Sequence, residues 1–220
     1  MGRLYRLQLE ETWEYHSTWS INRFIDENDN LQIVPEDFSN YVCYKTDPIY
    51  DIYTLSTVGF TQNRYARYPL HFVNNETQRL LYHYSLLIKQ YSLTPGAYNY
   101  WENLRKNSKE TSSLYYRQPV PLNGNIRNLN DTTEKVLGYF GVSQVNQKRI
   151  HIRFIPGMTF NKVKYCPEII KPYASLERPL YLFPYNNKDG TILWTWSDTD
   201  CFFCQMHGGT TQRPSYWDDK

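Results

Sequence analysis

The sequence predicts a mainly β, β-rich α+β domain: antiparallel sheets or a sandwich, one clear α-helix near 94–107, and a second short helix or turn at 131–134. Three observations carry this. Aromatic residues make up 17% of the 220 residues although the mean hydropathy is only −0.68. Disordered chains are poor in aromatics, and Tyr and Trp suit half-buried sheet surfaces, each hydroxyl or indole N–H needing a partner or water. Period-two alternation recurs along the chain, and one stretch switches from that period to the helical one. The length is sufficient to bury a core without staples.

The switch lies between Leu80 and Asn107. Leu80, Tyr82, Tyr84, Leu86 and Ile88 alternate with His83, Ser85 and Lys89, the pattern of a strand. Thr94 is then placed to cap a helix, Pro95 suits its first position, and Ala97, Trp101 and Leu104 or Arg105 follow at helical spacing. If Trp101 anchors that helix on a sheet, its replacement by Ala costs ~3–5 kcal/mol.

In chain order, residues 3–16 predict a strand through Tyr5, Leu7, Leu9, Trp13 and Tyr15. A chain that opens within an alternating run reads equally as whole or as a piece of something longer. Ile21 to Phe38, polar and carrying Glu-Asn-Asp-Asn at 27–30, reads as a loop or irregular excursion. Tyr41–Tyr44 and Ile49–Leu55 read as two short strands parted by Asp47-Pro48. Tyr65–Val73 reads as a third, with Pro69 at an edge or strand end. Residues 118–125 form a turn-rich connection, and Asp131-Thr-Thr-Glu134 has capping-box spacing. A hairpin is expected from Val136 to Ile155, turning near Asn146-Gln147, with Pro156-Gly157 ending it. The remainder reads as loop-rich covering structure with a turn at 186–190 and a strand at Thr191–Trp196. No repeat or low-complexity linker divides the chain, so residues 1–220 read as a single β-rich domain.

Composition removes several function classes. The net charge is +2 and no basic run exceeds two residues, so there is no electrostatic footprint for nucleic acid. No window approaches the ~20 apolar residues of a membrane-spanning helix, and the start lacks a signal-peptide core. The nucleophile-elbow, zinc-protease, phosphate-loop and dinucleotide-binding motifs do not occur.

The densest group of chemically capable residues is Cys201-Phe-Phe-Cys204-Gln-Met-His207-Gly-Gly. A redox Cys-x-x-Cys belongs at a strand-to-helix turn, whereas His-Gly-Gly is a loop signal. Zinc needs four ligands; Cys201, Cys204 and His207 supply three, with Cys166 or Cys43 as a fourth, but no second paired motif follows. The favoured reading is structural, as bridges or buried thiols among four cysteines with three possible full pairings. Glu10, Glu11 and Glu14 invite comparison with glycosidase carboxylates. On a strand, however, Glu10 and Glu14 share a face and Glu11 lies opposite, so they read as a solvated face or as partners for Arg3 and Arg6. His16, His71, His83, His151 and His207 show no metal-ligand spacing. No cofactor is indicated.

Taken together, several stretches resemble one family: Glu10-Glu-Thr-Trp-Glu-Tyr15, Tyr82-His-Tyr-Ser-Leu-Leu-Ile-Lys-Gln-Tyr-Ser-Leu-Thr94, and Ala97-Tyr-Asn-Tyr-Trp101. They continue with Gln118-Pro119, Gly124-Asn-Ile126, Glu134-Lys-Val-Leu-Gly-Tyr-Phe140, Lys148-Arg-Ile150, Cys201-Phe-Phe-Cys204, Gly208-Gly-Thr210 and Arg213-Pro-Ser-Tyr-Trp217. This resembles the domain-of-unknown-function 4249 family, lipoproteins of the Bacteroidota outer membrane, over nearly the whole chain. The resemblance implies the C-terminal part of a longer lipoprotein, whose signal peptide and β-sandwich region would precede Glu10. It also implies disulfides among Cys43, Cys166, Cys201 and Cys204 in an oxidising envelope, and no catalytic residues. The function expected is a non-enzymatic accessory or binding protein associated with a TonB-dependent transporter, held to the membrane only through a lipid anchor. Two other readings stand beside it. A carbohydrate-binding or carbohydrate-active domain would show two carboxylates ~5–10 Å apart in a groove lined by Trp or Tyr. A structural fragment would expose a broad apolar patch.

Overall fold

The computed structural model describes residues 3–110, 122–131, 133–153, 155–160, 176–187 and 189–218, with the backbone alone for residues 109 and 110. Its strands are β1 (Leu4–His16), β2 (Ile21–Ile25), β3 (Leu31–Asp37), β4 (Val42–Ser56), β5 (Tyr84–Ser92), β6 (Val145–Ile152), β7 (Leu180–Asn186) and β8 (Ile192–Trp196); α1 spans Pro95–Glu110. They form two four-stranded sheets, ordered β4-β1-β5-β6 and β3-β2-β7-β8. Among the described residues the fold is mainly β with a single clear helix, as the sequence predicts.

Backbone hydrogen bonds fix the direction of the first sheet. Leu93 N donates to Leu4 O and Glu14 N to His83 O, so β5 runs antiparallel to β1; Thr57 N to Arg3 O and Ser17 N to Tyr41 O do the same for β4. Contacts divide the chain into two units: Met1–Glu11 with Pro48–Phe72 and Leu86–Ile150, and Thr12–Asp47 with Val73–Ser85 and His151–Lys220.

In the first unit, Leu7 and Leu9 of β1 are buried, Leu9 completely. Helix α1 starts as its sequence dictates: the Thr94 hydroxyl accepts from Ala97 N at 3.3 Å, and Tyr98 N bonds Thr94 O. Ala97 is buried. Trp101 is only half-buried; its indole carries the Arg6 guanidinium 3.6 Å above it. Glu102 takes two bonds from Arg105 and one from the Thr54 hydroxyl of β4, tying helix to strand.

In the second unit, the β3-β2-β7-β8 sheet lays Phe183 with Trp19, Phe24 and Tyr181 against Ile21, Cys201, Phe202 and Phe203. Pro184 sits in β7 beyond the last residue paired to β2, facing only Trp194 of β8, where its missing N–H breaks no ladder bond to β2. The turn expected at 186–190 closes the β7–β8 hairpin through Asn187 N to Thr191 O, with Gly190 at φ 84.

Several sequence expectations are corrected. Ile21–Phe38 is a β-hairpin, not a loop. The Asp26 carboxylate accepts from Asn28 N, Asn30 N and Gln32 Nε2, so the polar run is a self-bonded turn between paired strands. Residues 42–56 are one 15-residue strand, and Pro48 is tolerated because β4 is the outer strand of its sheet. Tyr65–Val73 is not a strand: Arg67 at φ 53 breaks the extended path, and the Tyr65 ring packs at an angle against Phe60 and edge-on against Tyr68 instead. Leu80–His83 is not extended either, since Gln78–Leu80 make a 3-10 turn and β5 begins at Tyr84. Asn146-Gln147 lies inside β6 rather than at a turn, and 136–144 is irregular. Gly138 at φ 130 and the Asn125 amide, which bonds both Phe140 N and Phe140 O, replace the expected first hairpin strand. Leu180–Asn186, read as covering structure, is a strand. Near the expected short helix, Glu134 N bonds Asp131 O and residues 133–134 are a turn and bend. The connection at 118–121 and Cys166 lie outside the described residues.

Candidate functional site: a Trp13 pocket and the Trp217 lock

The second unit holds a recess on one face of a sheet end and a buried tryptophan on the other. Thr12 of β1 and Thr46 of β4 meet through hydroxyls 2.9 Å apart. Antiparallel pairing therefore sets Trp13 beside Lys45 and Tyr15 beside Cys43 on the other face. Cys43 is bonded to Cys204, with Cα atoms 5.7 Å apart. The bridge fastens the short 3-10 turn Cys204–His207 against that face. The Tyr15 hydroxyl donates to Cys204 O at 2.7 Å, and Lys45 Nζ reaches His207 O at 3.4 Å. Gly208 follows at φ 83, which favours glycine, and a side-chain Cβ at Gly209 would strike the Tyr15 hydroxyl.

The result is a cavity of about 230 Å³ lined by Trp13, Tyr15, Lys45, Asp47, Thr77, Gln78, Arg79 and His207. Arg79 stacks 4.7 Å over the Trp13 ring and the Lys45 ammonium stands 5.9 Å from it. The indole thus holds two cationic groups, and hydroxyl, amide, imidazole and one carboxylate complete the wall. Such a lining offers hydrogen-bond donors and acceptors to a polar molecule.

Across the same strands, on the opposite face, Tyr44 of β4, Glu14 of β1, His83 beside β5 and His151 of β6 form a row, and Trp217 lies over it. The Trp217 indole is 1% exposed and donates to Glu14 Oε2 at 3.1 Å. Its ring centroid is 4.2 Å from His83, 5.1 Å from Tyr44 and 6.3 Å from His151. Glu14 also bonds His16 Nε2 at 2.9 Å, and His83 Nε2 meets His151 Nδ1 at 3.0 Å. The bond from His16, with help from Trp217, holds the Glu14 carboxyl below its ordinary range against the effect of burial. Burial, followed by the positive charge of Arg153, pushes His83 down to about 4. Thr210 pairs with Tyr44 along the outer edge of β4, and Tyr216 bonds the Thr12 hydroxyl. The segment 210–217 is therefore latched to β4, β1 and β6, with Trp217 also over His83 beside β5.

The favoured structural reading of the cysteines holds for Cys43 and Cys204. Cys201 is also disulfide-bonded and completely buried, and Ser197 Oγ lies 2.9 Å from its sulfur. The thiols that a redox pair or zinc site at 201–204 would use are thus committed to bridges. Among the described residues, no group of three His, Cys, Asp or Glu side chains is placed to hold a metal ion.

The carboxylates are corrected. Glu11 is buried and lies 3.7 Å from His71; Glu14 is the acceptor under Trp217; Glu10 lies 3.9 Å from both Lys89 and Arg149. They are not a solvated face, and Arg6 stacks on Trp101 instead of pairing with them. Sequence reasoning also missed the Trp13 pocket and the His83–His151 pair. Both are assembled by cross-strand register, and the only local signal was the alternation of β1.

Among the described residues, two antiparallel sheets and one helix make a mainly β fold, with a disulfide-fastened recess in the second unit. The chain belongs to the family described as Domain of unknown function (DUF4249), whose model matches residues 2–149. The resemblance noted at 201–217 lies beyond the matched span. No curated protein and no solved structure matches the chain.

Proposed function

We propose that this chain is a non-enzymatic binding protein of the cell envelope, an accessory to a TonB-dependent outer-membrane transporter, attached through the lipid anchor of a longer parent. The observation that carries the proposal is the Cys43–Cys204 bridge, which fastens one wall of the Trp13 pocket. Disulfides persist in oxidising compartments and are rare in the cytosol, which favours the envelope. A recess preorganised by a covalent bridge and a bonded turn favours binding. The lipoprotein and transporter parts follow the family resemblance. No helix among the described residues is long and apolar enough to cross a membrane.

The carbohydrate-active alternative calls for a pair of carboxylates flanking a sugar. The described lining of the Trp13 pocket contains one, Asp47. Incubating the purified protein with a panel of glycans and peptides tests the non-enzymatic reading, the expected outcome being no turnover. Turnover that Asp47→Asn or Glu14→Gln abolishes in a folded variant would overturn it.

A further inference from the structure

We infer that the first unit carries a second binding site, a groove along β4 that takes a neutral saccharide about two sugar rings long. The inference rests on the reading of the chain as a binding protein and names a ligand class for it. The groove measures about 640 Å³, within the usual range for small-molecule sites. One side is the run Asp51–Thr54 of β4, the outer strand of its sheet; the other is the irregular segment around Tyr68, Leu70 and Phe72.

Three features select the ligand. Phe72 is 85% exposed and Tyr68 43% exposed, so two aromatic rings stand in the wall of a concave site instead of a core. Rings so placed offer flat apolar faces to the C–H faces of a sugar. The polar groups beside them are already balanced. Arg105 is bound twice by Glu102, His71 lies 3.7 Å from Glu11, and the Tyr53 hydroxyl donates to Asp51 at 3.3 Å. An anionic ligand would meet Asp51 with the neighbouring guanidinium already engaged, and a cationic ligand would meet Arg105. A wholly apolar ligand would strip water from Asp51 and Arg105 without replacing it. A neutral molecule bearing both C–H faces and hydroxyls satisfies the rings, the carboxylate and the exposed strand edge together.

The test is calorimetric titration of the full chain with maltose, cellobiose and N,N′-diacetylchitobiose, each to ~10 mM, with glucuronate and an unstructured peptide as comparisons. The result expected is saturable binding of at least one neutral disaccharide. Phe72→Ala and Tyr68→Ala should each weaken that binding at least about tenfold while leaving the melting temperature unchanged, since both rings are exposed. Failure of all three sugars to bind would overturn the inference, as would binding indifferent to both substitutions, or preference for glucuronate or the peptide. If the Phe72→Ala protein still recovers a transporter from membranes, the accessory role stands whatever the sugars do.

Discussion

Replacing Trp217 by Ala should destabilise the second unit by about 5 kcal/mol. A fully buried Trp removes on the order of 200 Å² from water, or ~5 kcal/mol at 25 cal/mol per Å². Large-to-small changes at buried Trp typically measure ~3–5 kcal/mol. Trp217 is 1% exposed and contacts Tyr44, His83 and His151 in addition to Glu14. The hydrogen bond to the Glu14 carboxylate adds ~1.5–3 kcal/mol on its own, but it shares partners with the packing and does not add in full. Trp217→Phe separates the two contributions: it keeps most of the ring and loses the N–H, so it should cost about 2 kcal/mol. Equilibrium urea unfolding followed by circular dichroism reads both, with the slope checked for constancy. A loss below about 1.5 kcal/mol for Trp217→Ala, or equal losses for Ala and Phe, would refute the claim that this indole locks the 210–217 segment onto β4, β1 and β6.

Stability should also fall as pH falls from about 6.5 to about 4. His83 titrates near 6.5 in the unfolded chain and near 4 in the folded one, so between these values only the unfolded chain takes up the proton. Its contribution is complete above 6.5; the shift bounds it at ~3 kcal/mol, of which solvent screening leaves roughly half. Glu14 acts in the same direction at lower pH, below 4.5, and His83→Gln should flatten the upper part of the slope in urea titrations at stepped pH. Replacing Cys43 and Cys204 together by Ser frees a loop closed over 161 residues and should cost about 3–5 kcal/mol in the same assay. Thr94→Ala should cost ~1 kcal/mol and speed amide exchange at Ala97 and Tyr98, while Thr94→Ser should leave both near wild type.

What could be read in advance was whatever local chemistry decides. The start of α1 follows from Thr94 and Pro95, and β1 from its alternation. The turn at 186–190 follows from its Asn, Asp and Gly residues. Strands set by distant partners were not legible. The β2–β3 hairpin hides behind a polar turn that bonds to its own Asp26. β4 hides behind Pro48, harmless only because the strand is outermost. β7 depends on β2, more than 150 residues away in sequence. The site follows the same rule. The cysteines could be assigned a structural role, but which ones pair depends on the fold. Trp13, Lys45, Arg79 and His207 come from four separated stretches and share no sequence spacing. Glu11 and Glu14 look like surface charges in a linear reading, yet Glu11 is buried 3.7 Å from His71 and half-buried Glu14 accepts from the Trp217 indole.

The proposed function is binding in the envelope beside a transporter. The most direct measurement is recovery of the lipidated full-length parent from gently solubilised envelope, with its bound proteins identified by mass. The account predicts a TonB-dependent transporter in stoichiometric amount. Recovery of the parent alone, at yields where a one-to-one partner would be seen, would contradict it.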